Sequence, residues 1–217
     1  MMQPSMQPIR ILITDDHAIV REGLRRILGA SPDMVVAGEA ANGIEALQLV
    51  GSCNPDIVLV DISMPGMNGI ELTHRLHDEH PQLPVLVLSM HQEEQFAVRA
   101  LKAGAAGYLT KDCAPEMLAQ AIRRLVAGGK FITPEVAEAL ANAIVPAQSE
   151  TPHKQLSNRE FQIFRMLASG KSINEIAQDL SLSANTISTH KGRLMNKLGV
   201  DNNASLVHYA VKHRILQ

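Results

Sequence analysis

Polar side chains of complementary chemistry follow four short apolar runs in the first half of the chain. Asp15 and Asp16 follow the first run, Asp61 the third, Ser89 the fourth and Lys111 the fifth. Three carboxylates brought together repel one another and need a counter-cation, and an all-oxygen site of this kind suits Mg²⁺. A carboxylate can accept a phosphoryl group as an acyl phosphate, whose charge a metal ion, an amine and a hydroxyl stabilise. These residue types therefore predict a magnesium-dependent phosphorylation site.

Each of these residues also has a simpler explanation when it is taken alone. Asp15 or Asp16 would serve as a helix N-cap, Asp61 would begin a turn, Ser89 would be a cap, and Lys111 would be a solvated surface charge. The combination is harder to explain in this way, because four separate loops would have to bring complementary groups to one edge by chance. We therefore treat the five positions as one candidate site.

A second group of polar residues lies on one face of a predicted helix near the carboxyl terminus. Short hydrogen-bonding side chains with adjacent cations are typical of a helix in the major groove of DNA, where polar groups contact bases and cations contact phosphates. The alternative is the solvent face of an ordinary three-helix module. The residues of this face are Asn185, Ser188, Thr189, Gly192, Arg193 and Asn196, with Lys191 and Lys197 at its flanks.

Alternating strands and helices are expected to position the first group. Continuous apolar runs between helical patterns are typical of strands buried on both faces, and five such repeats predict an α/β fold with a doubly wound, parallel (βα)5 sheet. Such sheets bind ligands at the carboxyl ends of their strands. The predicted strands are Ile9–Thr14, Met34–Ala37, Ile57–Val60, Val85–Leu88 and Gly107–Thr110, and the predicted helices are Ala18–Leu28, Gly43–Val50, Ile70–Leu76, Glu93–Lys102 and Pro115–Ala127.

A second, smaller all-α domain is predicted beyond this region. A helix over Pro134–Ile144, capped by Thr133, precedes a proline-containing linker over Val145–Gln155. We predict a first domain over residues 7–130, a helix plus linker over 131–155, and a helical domain over 156–217. Ser157 with Glu160 and Ser172 with Glu175 form capping-box patterns. The predicted helices are Arg159–Ala168, Ile173–Leu180, Ala184–Leu198 and Ala204–Lys212, of which the second and third have the proportions of a helix-turn-helix.

Charge and composition limit the class of protein. Lys and Arg number 12 against 18 Asp and Glu in residues 1–155, but 8 against 4 in residues 156–217, so the basic domain is the one suited to a polyanion. Cys53 and Cys113 form no disulfide framework and show no metal-binding spacing. Residues 1–8 have no apolar leader segment, and no run has the roughly 18 apolar residues that a membrane span needs. We therefore expect a cytoplasmic protein without a membrane partner.

The first domain resembles the receiver domain of two-component response regulators over Ile9–Gly128. The segment LVDISMPGMNG (Leu59–Gly69) is similar to the family's Asp-x-x-Met-Pro-x-x-x-Gly loop. The resemblance implies that Asp61 is the phospho-acceptor, that Ser89 hydrogen-bonds the phosphoryl group and that Lys111 pairs with it. These three residues are the catalytic set that it implies.

The resemblance also implies the ligands of the magnesium ion. Asp16, Asp61 and the backbone carbonyl of Ser63 would bind Mg²⁺, with Asp15 acting mostly through water. The phosphoryl group would come from a sensor histidine kinase or a small phosphodonor and would later be hydrolysed. Ser63 and His91 occupy positions where family members tune that hydrolysis. We expect no enzymatic activity beyond this phosphotransfer and autodephosphorylation.

Two residues match the switch of the receiver family. Tyr108, three residues before Lys111, corresponds to an aromatic residue that turns inward when Ser89 moves. This shift would reshape the face formed by the fourth helix and its neighbouring strands, and so release the DNA-binding domain or promote a homodimer. An ordinary strand aromatic is the alternative interpretation of Tyr108.

The second domain resembles the LuxR-type helix-turn-helix of NarL/FixJ response regulators over Leu156–Ile215. It has the family's opening Leu-x-x-Arg-Glu, its Gly-x-x-x-x-Glu-Ile-Ala and its Thr-Ile-x-x-His stretch. The match implies that Ser188 and Thr189 approach bases. It implies that Lys191, Arg193 and Lys197 contact mainly phosphates. Gly192 departs from the larger polar residues usual at its position, so one base-reading position is expected to be empty.

The last helix is the expected dimer contact. In this family the equivalent helix pairs two subunits on DNA. We therefore expect a homodimer that binds an inverted repeat, with Leu206, Tyr209 and Ala210 forming the contact between the two subunits. A core-facing role for part of this apolar strip is equally consistent with the pattern. RNA polymerase is a further candidate partner.

Two rival functions remain at this point. A phosphatase or nucleotide-binding enzyme on the same sheet lacks support, because Asp15, Asp16 and His17 stand where a glycine-rich phosphate loop would follow the first strand. A receiver that serves only as a dimerisation scaffold, insensitive to phosphate, is disfavoured by its intact acidic set.

Overall fold

The computed structural model describes residues 7–90, 94–144, 152–180, 182–213 and 215. The chain divides into two compact units, Met1–Ile144 and Val145–Gln217, and each is described by itself. No helix among the described residues is long and apolar enough to cross a membrane.

The first unit is a five-stranded parallel sheet in the order β2-β1-β3-β4-β5, which confirms the predicted α/β class. Every residue of β3 and β4 is buried, as their continuous apolar sequences predict. β2 runs three residues beyond its predicted end, because its later residues continue to pair with β1. The strands are β1 (Ile9–Thr14), β2 (Met34–Ala40), β3 (Ile57–Asp61), β4 (Val85–Ser89) and β5 (Gly107–Thr110).

Six helices accompany this sheet in the described part of the first unit. Asn42 and Asn68 cap α2 and α3 by accepting hydrogen bonds from Glu45 N and Glu71 N. The helices are α1 (Ala18–Gly29), α2 (Gly43–Cys53), α3 (Gly69–Glu79), α4 (Glu94–Lys102), α5 (Pro115–Val126) and α6 (Pro134–Ile144). The predicted first residue of α4, Glu93, lies outside the described residues.

The described residues of the second unit form four short α-helices around an apolar core. Both predicted capping boxes are present, at Ser157 with Glu160 and at Ser172 with Glu175. The helices are α7 (Asn158–Ala168), α8 (Ile173–Asp179), α9 (Ala184–Leu198) and α10 (Asn203–Lys212), and their buried side chains include Phe161, Ile163, Phe164, Ile176, Ile187, Leu194 and Leu206.

The end of the predicted linker is ordered. Pro152–Gln155 forms a 3-10 turn that belongs to the second unit. His153 is buried there, and its Nδ1 lies 3.0 Å from the hydroxyl of Tyr209. The polar composition of this segment predicted a linker and gave no indication of this contact, whose two side chains lie 56 residues apart in the sequence.

Candidate functional site

The parallel register brings the predicted acidic group to one edge of the sheet. Thr14, the last residue of β1, pairs with Val60, so Asp15 and Asp61 emerge side by side. Ser89 ends β4, next to Thr110 at the end of β5. The Lys111 N–H then donates to the Ser89 carbonyl over 2.8 Å. Side chains from four strands therefore meet at the carboxyl edge, where such sheets bind their ligands.

Lys111 connects two carboxylates inside this pocket. Its Nζ lies 2.5 Å from Oδ2 of Asp15 and 3.0 Å from Oδ1 of Asp61. The three side chains are only 7%, 2% and 3% exposed, respectively. Because water has little access to the two carboxylates, their negative charges are stabilised mainly by the Lys111 ammonium group among the described residues.

Burial controls the electrostatics of Asp61. Loss of solvent raises the pKa of the Asp61 carboxyl above its usual range, and the negative charge of Asp15 raises it further. Lys111 and the backbone N–H of Ser63 oppose this shift but do not cancel it. The carboxylate is therefore a destabilised anion that gains from any additional positive charge nearby.

The donor set fits a divalent cation. Oδ2 of Asp61 is buried and has no hydrogen-bond partner among the described residues. Ligand atoms of Asp15, Asp16, His17 and Asp61 all lie within 4.8 Å of one another. Mg²⁺ prefers oxygen ligands, and a buried carboxylate oxygen without a hydrogen-bond partner is available to bind it. The cluster is therefore consistent with the predicted ligands of the magnesium ion. His17 was not among the predicted residues, although its position directly after the acid pair was a visible signal.

A tight turn after β3 shapes the pocket. A Cβ on Gly69 would lie 2.0 Å from the backbone carbonyl oxygen of Asp61, so only glycine allows α3 to begin this close to the strand. The Gly69 N–H donates to the Ile62 carbonyl and closes the loop that contains the exposed Ser63. This contact explains physically why the motif ends in glycine.

The two predicted switch residues are both buried. Ser89 is 1% exposed and Tyr108 is 3% exposed. The backbone N–H of Tyr108 donates to the Phe131 carbonyl, beyond the end of α5. Their coupled movement stays a prediction, and His91 lies outside the described residues.

The predicted DNA-reading face of α9 is exposed. Asn185, Ser188, Thr189 and Arg193 are exposed, and Lys191 is half-buried. The Thr189 hydroxyl donates to the Asn185 carbonyl over 2.9 Å. The opposite side of the helix, with Ile187, Leu194 and Leu198, is buried in the core of the unit.

Lys197 differs from the other cations of α9. Its Nζ lies 2.6 Å from Oε2 of Glu160, whose side chain is only 5% exposed. Although burial would raise the pKa of Glu160, Lys197 and Ser157 lower it overall. A phosphate contact by Lys197 would have to share the ammonium group with Glu160. Sequence periodicity missed the pair, because its partners lie 37 residues apart.

The predicted dimer residues require a correction. Leu206 and Ala210 are both fully buried, because α10 packs them against the core of its own unit beside α7. Their assignment to a dimer surface is therefore wrong, and the alternative of a core-facing strip is right for both. Tyr209 is half-buried beside His153. The exposed large apolar side chains of α10 are Val207 and Val211.

Comparisons with known proteins cover both units. Residues 11–123 match the response regulator receiver domain, and residues 154–210 match the bacterial regulatory proteins of the luxR family. The chain is 36% identical to response regulator UvrY of Escherichia coli K12 over 94% of each chain. It is 38% identical to response regulator GacA of Pseudomonas aeruginosa over 94% of this chain and 96% of the relative.

A solved structure adds a relative in complex with DNA. RcsB from Salmonella enterica serovar Typhimurium, bound to promoter P1flhDC in the presence of the phosphomimetic BeF3-, is 29% identical to this chain with a TM-score of 0.65. The match covers 94% of this chain and 98% of that one.

Proposed function

The chain belongs to the NarL/FixJ family of two-component response regulators, with a receiver and a LuxR-type DNA-binding domain, and on this premise we propose that phosphorylation of Asp61 controls its binding to DNA. The single observation that carries the proposal is the buried Asp61 carboxylate, with one oxygen beside Lys111 and the other without a hydrogen-bond partner among the described residues. A nucleophile needs this combination of an available oxygen and a nearby cation.

The proposed chemistry is phosphoryl transfer from a phosphohistidine. A carboxylate oxygen of Asp61 attacks the phosphorus atom, the P–N bond breaks, and its electron pair returns to the imidazole of the sensor kinase. The product is an acyl phosphate, which water later hydrolyses to the free carboxylate and inorganic phosphate. Lys111 would pair with the phosphoryl oxygens, and the Ser89 hydroxyl would donate to them.

Magnesium would be bound by the residues of the same pocket. Asp16, Asp61 and the Ser63 carbonyl would hold the ion, with Asp15 acting through water. When bound, it supplies positive charge that stabilises the transferred phosphoryl oxygens. The raised pKa of Asp61 supports this assignment, because a further cation relieves the cost of burying the anion.

The proposed output is DNA binding through α9. Asn185, Ser188 and Thr189 would contact base edges, while Lys191 and Arg193 would contact phosphates. Their exposure supports this proposal, and so does the similarity to RcsB bound to a promoter with a phosphomimetic. Movement of Ser89 and Tyr108 after phosphorylation would reshape the receiver and favour a homodimer on an inverted repeat.

The test of this function is labelling of the full chain with acetyl phosphate and Mg²⁺. We expect Asp61→Asn to abolish the mass increase of one phosphoryl group, because an amide oxygen is too weak a nucleophile. Asp78→Asn, at an exposed acid of α3, is the matched control and should label like the wild type. Equal labelling of Asp61→Asn and wild type would show that another residue is the acceptor.

A second measurement separates the switch from a phosphate-insensitive scaffold. Beryllofluoride should raise the dimer fraction and the affinity for operator DNA in the wild type but not in Asp61→Asn. If beryllofluoride occupies the pocket and leaves both quantities unchanged, the receiver serves only as a scaffold and phosphorylation does not control DNA binding.

A further inference from the structure

His17 places a nitrogen ligand beside the acidic pocket. Its Nδ1 lies 2.9 Å from Oδ1 of Asp16 and 3.4 Å from Oδ1 of Asp15. The backbone N–H of His17 also donates to Oδ1 of Asp15 over 2.8 Å, which ties the residue to the end of β1. The imidazole therefore belongs to the same cluster as the carboxylates.

The distance between His17 and Asp16 is that of neighbouring ligands on one ion. Two ligand atoms at right angles on a metal, each about 2.1 Å from it, lie about 3.0 Å apart, and opposite ligands lie about 4.2 Å apart. The separation between Nδ1 of His17 and the Asp16 oxygen matches the first value. Ligand atoms from all four residues of the cluster lie within 4.8 Å of one another, a limit somewhat wider than the separation of opposite ligands, so the side chains would close slightly around an ion.

A buried oxygen of Asp61 provides independent support for a cation site. Oδ2 of Asp61 has no hydrogen-bond partner among the described residues, and Asp61 is 97% buried. Lys111 contacts the other oxygen of Asp61, together with Oδ2 of Asp15. The amine therefore leaves Asp61 Oδ2 for a second positive charge, and the same cluster contains the His17 nitrogen.

A second histidine of the chain shows what an ordinary histidine–carboxylate contact looks like. On α3, Nδ1 of His74 lies 2.9 Å from Oδ2 of Asp78, with side chains 66% and 60% exposed. This pair has one carboxylate, one helical turn away, and belongs to no cluster of metal-ligating side chains in the described part of the chain. The His17 side chain is equally exposed, at 65%, and has the same contact distance, but it lies next to two carboxylates and the buried Asp61.

We propose that His17 converts the pocket into a mixed nitrogen–oxygen site that binds first-row transition ions such as Zn²⁺ and Co²⁺ more tightly than Mg²⁺. Imidazole nitrogen favours these ions, whereas Mg²⁺ prefers oxygen ligands alone. The ligands are Nδ1 of His17 with carboxylate oxygens of Asp16 and Asp61. The consequence for phosphorylation rests on the proposed function: such an ion would compete with Mg²⁺ for the pocket.

The test compares metal affinities of the full chain and its variants by calorimetry, with Co²⁺ visible absorption as a spectroscopic readout of a nitrogen ligand. His17→Asn should lower the ratio of Zn²⁺ to Mg²⁺ affinity at least about tenfold. Loss of a residue that only supports a metal ligand already weakens metal binding by about that factor, and loss of a ligand should weaken it at least as much. The Co²⁺ spectrum should shift in the same variant. His74→Asn is the matched control and should leave the ratio and the spectrum unchanged.

Further outcomes locate the ion and separate the two proposals. Asp16→Asn should weaken Zn²⁺ and Co²⁺ binding, because it removes a ligand of the same ion. A ratio that stays within twofold of the wild type in His17→Asn would overturn the inference, even if labelling of Asp61 with Mg²⁺ is intact. Labelling that persists in Asp61→Asn would instead overturn the proposed function, while the effect of His17→Asn on metal selectivity would still stand.

Discussion

The acidic pocket and the exposed face of α9 are built in opposite ways. The pocket joins side chains from position 15 to position 111, and its Lys111, Asp15 and Asp61 are almost completely buried. The face of α9 comes from a single helix between Asn185 and Arg193, and most of its polar side chains are exposed. One site depends on the whole sheet, whereas the other depends on the docking of one helix.

This difference determines how substitutions should act. Charges in the pocket interact without solvent screening, so removal of one group leaves the others buried and uncompensated. Side chains on α9 are screened by water, so their removal should change DNA binding and leave the fold intact. We therefore expect substitutions in the buried pocket to lower the stability of the fold, and substitutions on the exposed face of α9 to weaken DNA binding alone.

The largest effect is expected from Lys111→Met in the pocket. Loss of the amine leaves the carboxylates of Asp15 and Asp61 buried without their shared cation, which should cost about 3–5 kcal/mol of the free energy of unfolding. Urea unfolding of the full chain, with and without Mg²⁺, measures this loss and its partial recovery. Lys130→Met, at an exposed lysine of the same unit, is the control. Equal stability of the two variants would show that Lys111 does not stabilise the buried carboxylates and would contradict the contrast between the pocket and α9.

A smaller effect, confined to DNA binding, is expected from Arg193→Ala on α9. Loss of one phosphate contact should reduce the slope of log affinity against log salt by about one unit and weaken binding roughly tenfold at moderate salt. Fluorescence anisotropy with labelled operator DNA measures both values. Lys130→Ala should change neither, and acetyl phosphate should label Arg193→Ala like the wild type. An unchanged salt slope would mean that Arg193 contacts no phosphate.

Gly192→Ala sharpens the comparison at a single position of α9. An added Cβ would meet no atom within 4 Å beyond the adjacent residues and backbone of its own helix, so alanine should stabilise the helix by about 1 kcal/mol. Differential scanning calorimetry measures this gain, and Gly51→Ala on the exposed side of α2 is the matched control without a DNA effect. Weaker operator binding despite higher stability would indicate that the DNA backbone approaches Gly192 closely. Unchanged binding would exclude such an approach.

The smallest effect is expected from pH and His190, the half-buried histidine of α9. Burial, and then the charge of Arg159, lowers the pKa of His190 below its ordinary value of 6.5, and its Nδ1 has no hydrogen-bond partner among the described residues. The unfolded chain therefore binds the proton more readily, so stability is lost as pH falls below about 6.5, by less than about 1.4 kcal/mol per pH unit.

The variant His190→Gln should reduce this pH dependence, because glutamine does not titrate. Urea unfolding at pH 7.5 and 5.5 measures the difference, and His208→Gln, at an exposed position of α10, is the control. If both variants lose as much stability as the wild type on acidification, His190 does not contribute to the acid sensitivity.

Local sequence signals predicted most elements of this protein. Apolar runs, caps and glycines depend on neighbours within a few residues, so strands β1, β3, β4 and β5 and both capping boxes could be read directly from the chain. The acidic group could also be predicted, because parallel strands necessarily bring their carboxyl ends to one edge. The exposed face of α9 followed from helical periodicity in the same way.

Contacts between distant residues were decided only by the tertiary structure. The sequence could not show that Lys197 pairs with Glu160 or that His153 reaches Tyr209. The buried faces of Leu206 and Ala210 were equally ambiguous, since an apolar strip has the same periodicity whether it covers its own core or a partner. The physical reason is that periodicity specifies which side of an element is apolar, whereas packing of whole elements selects the partner of each side chain.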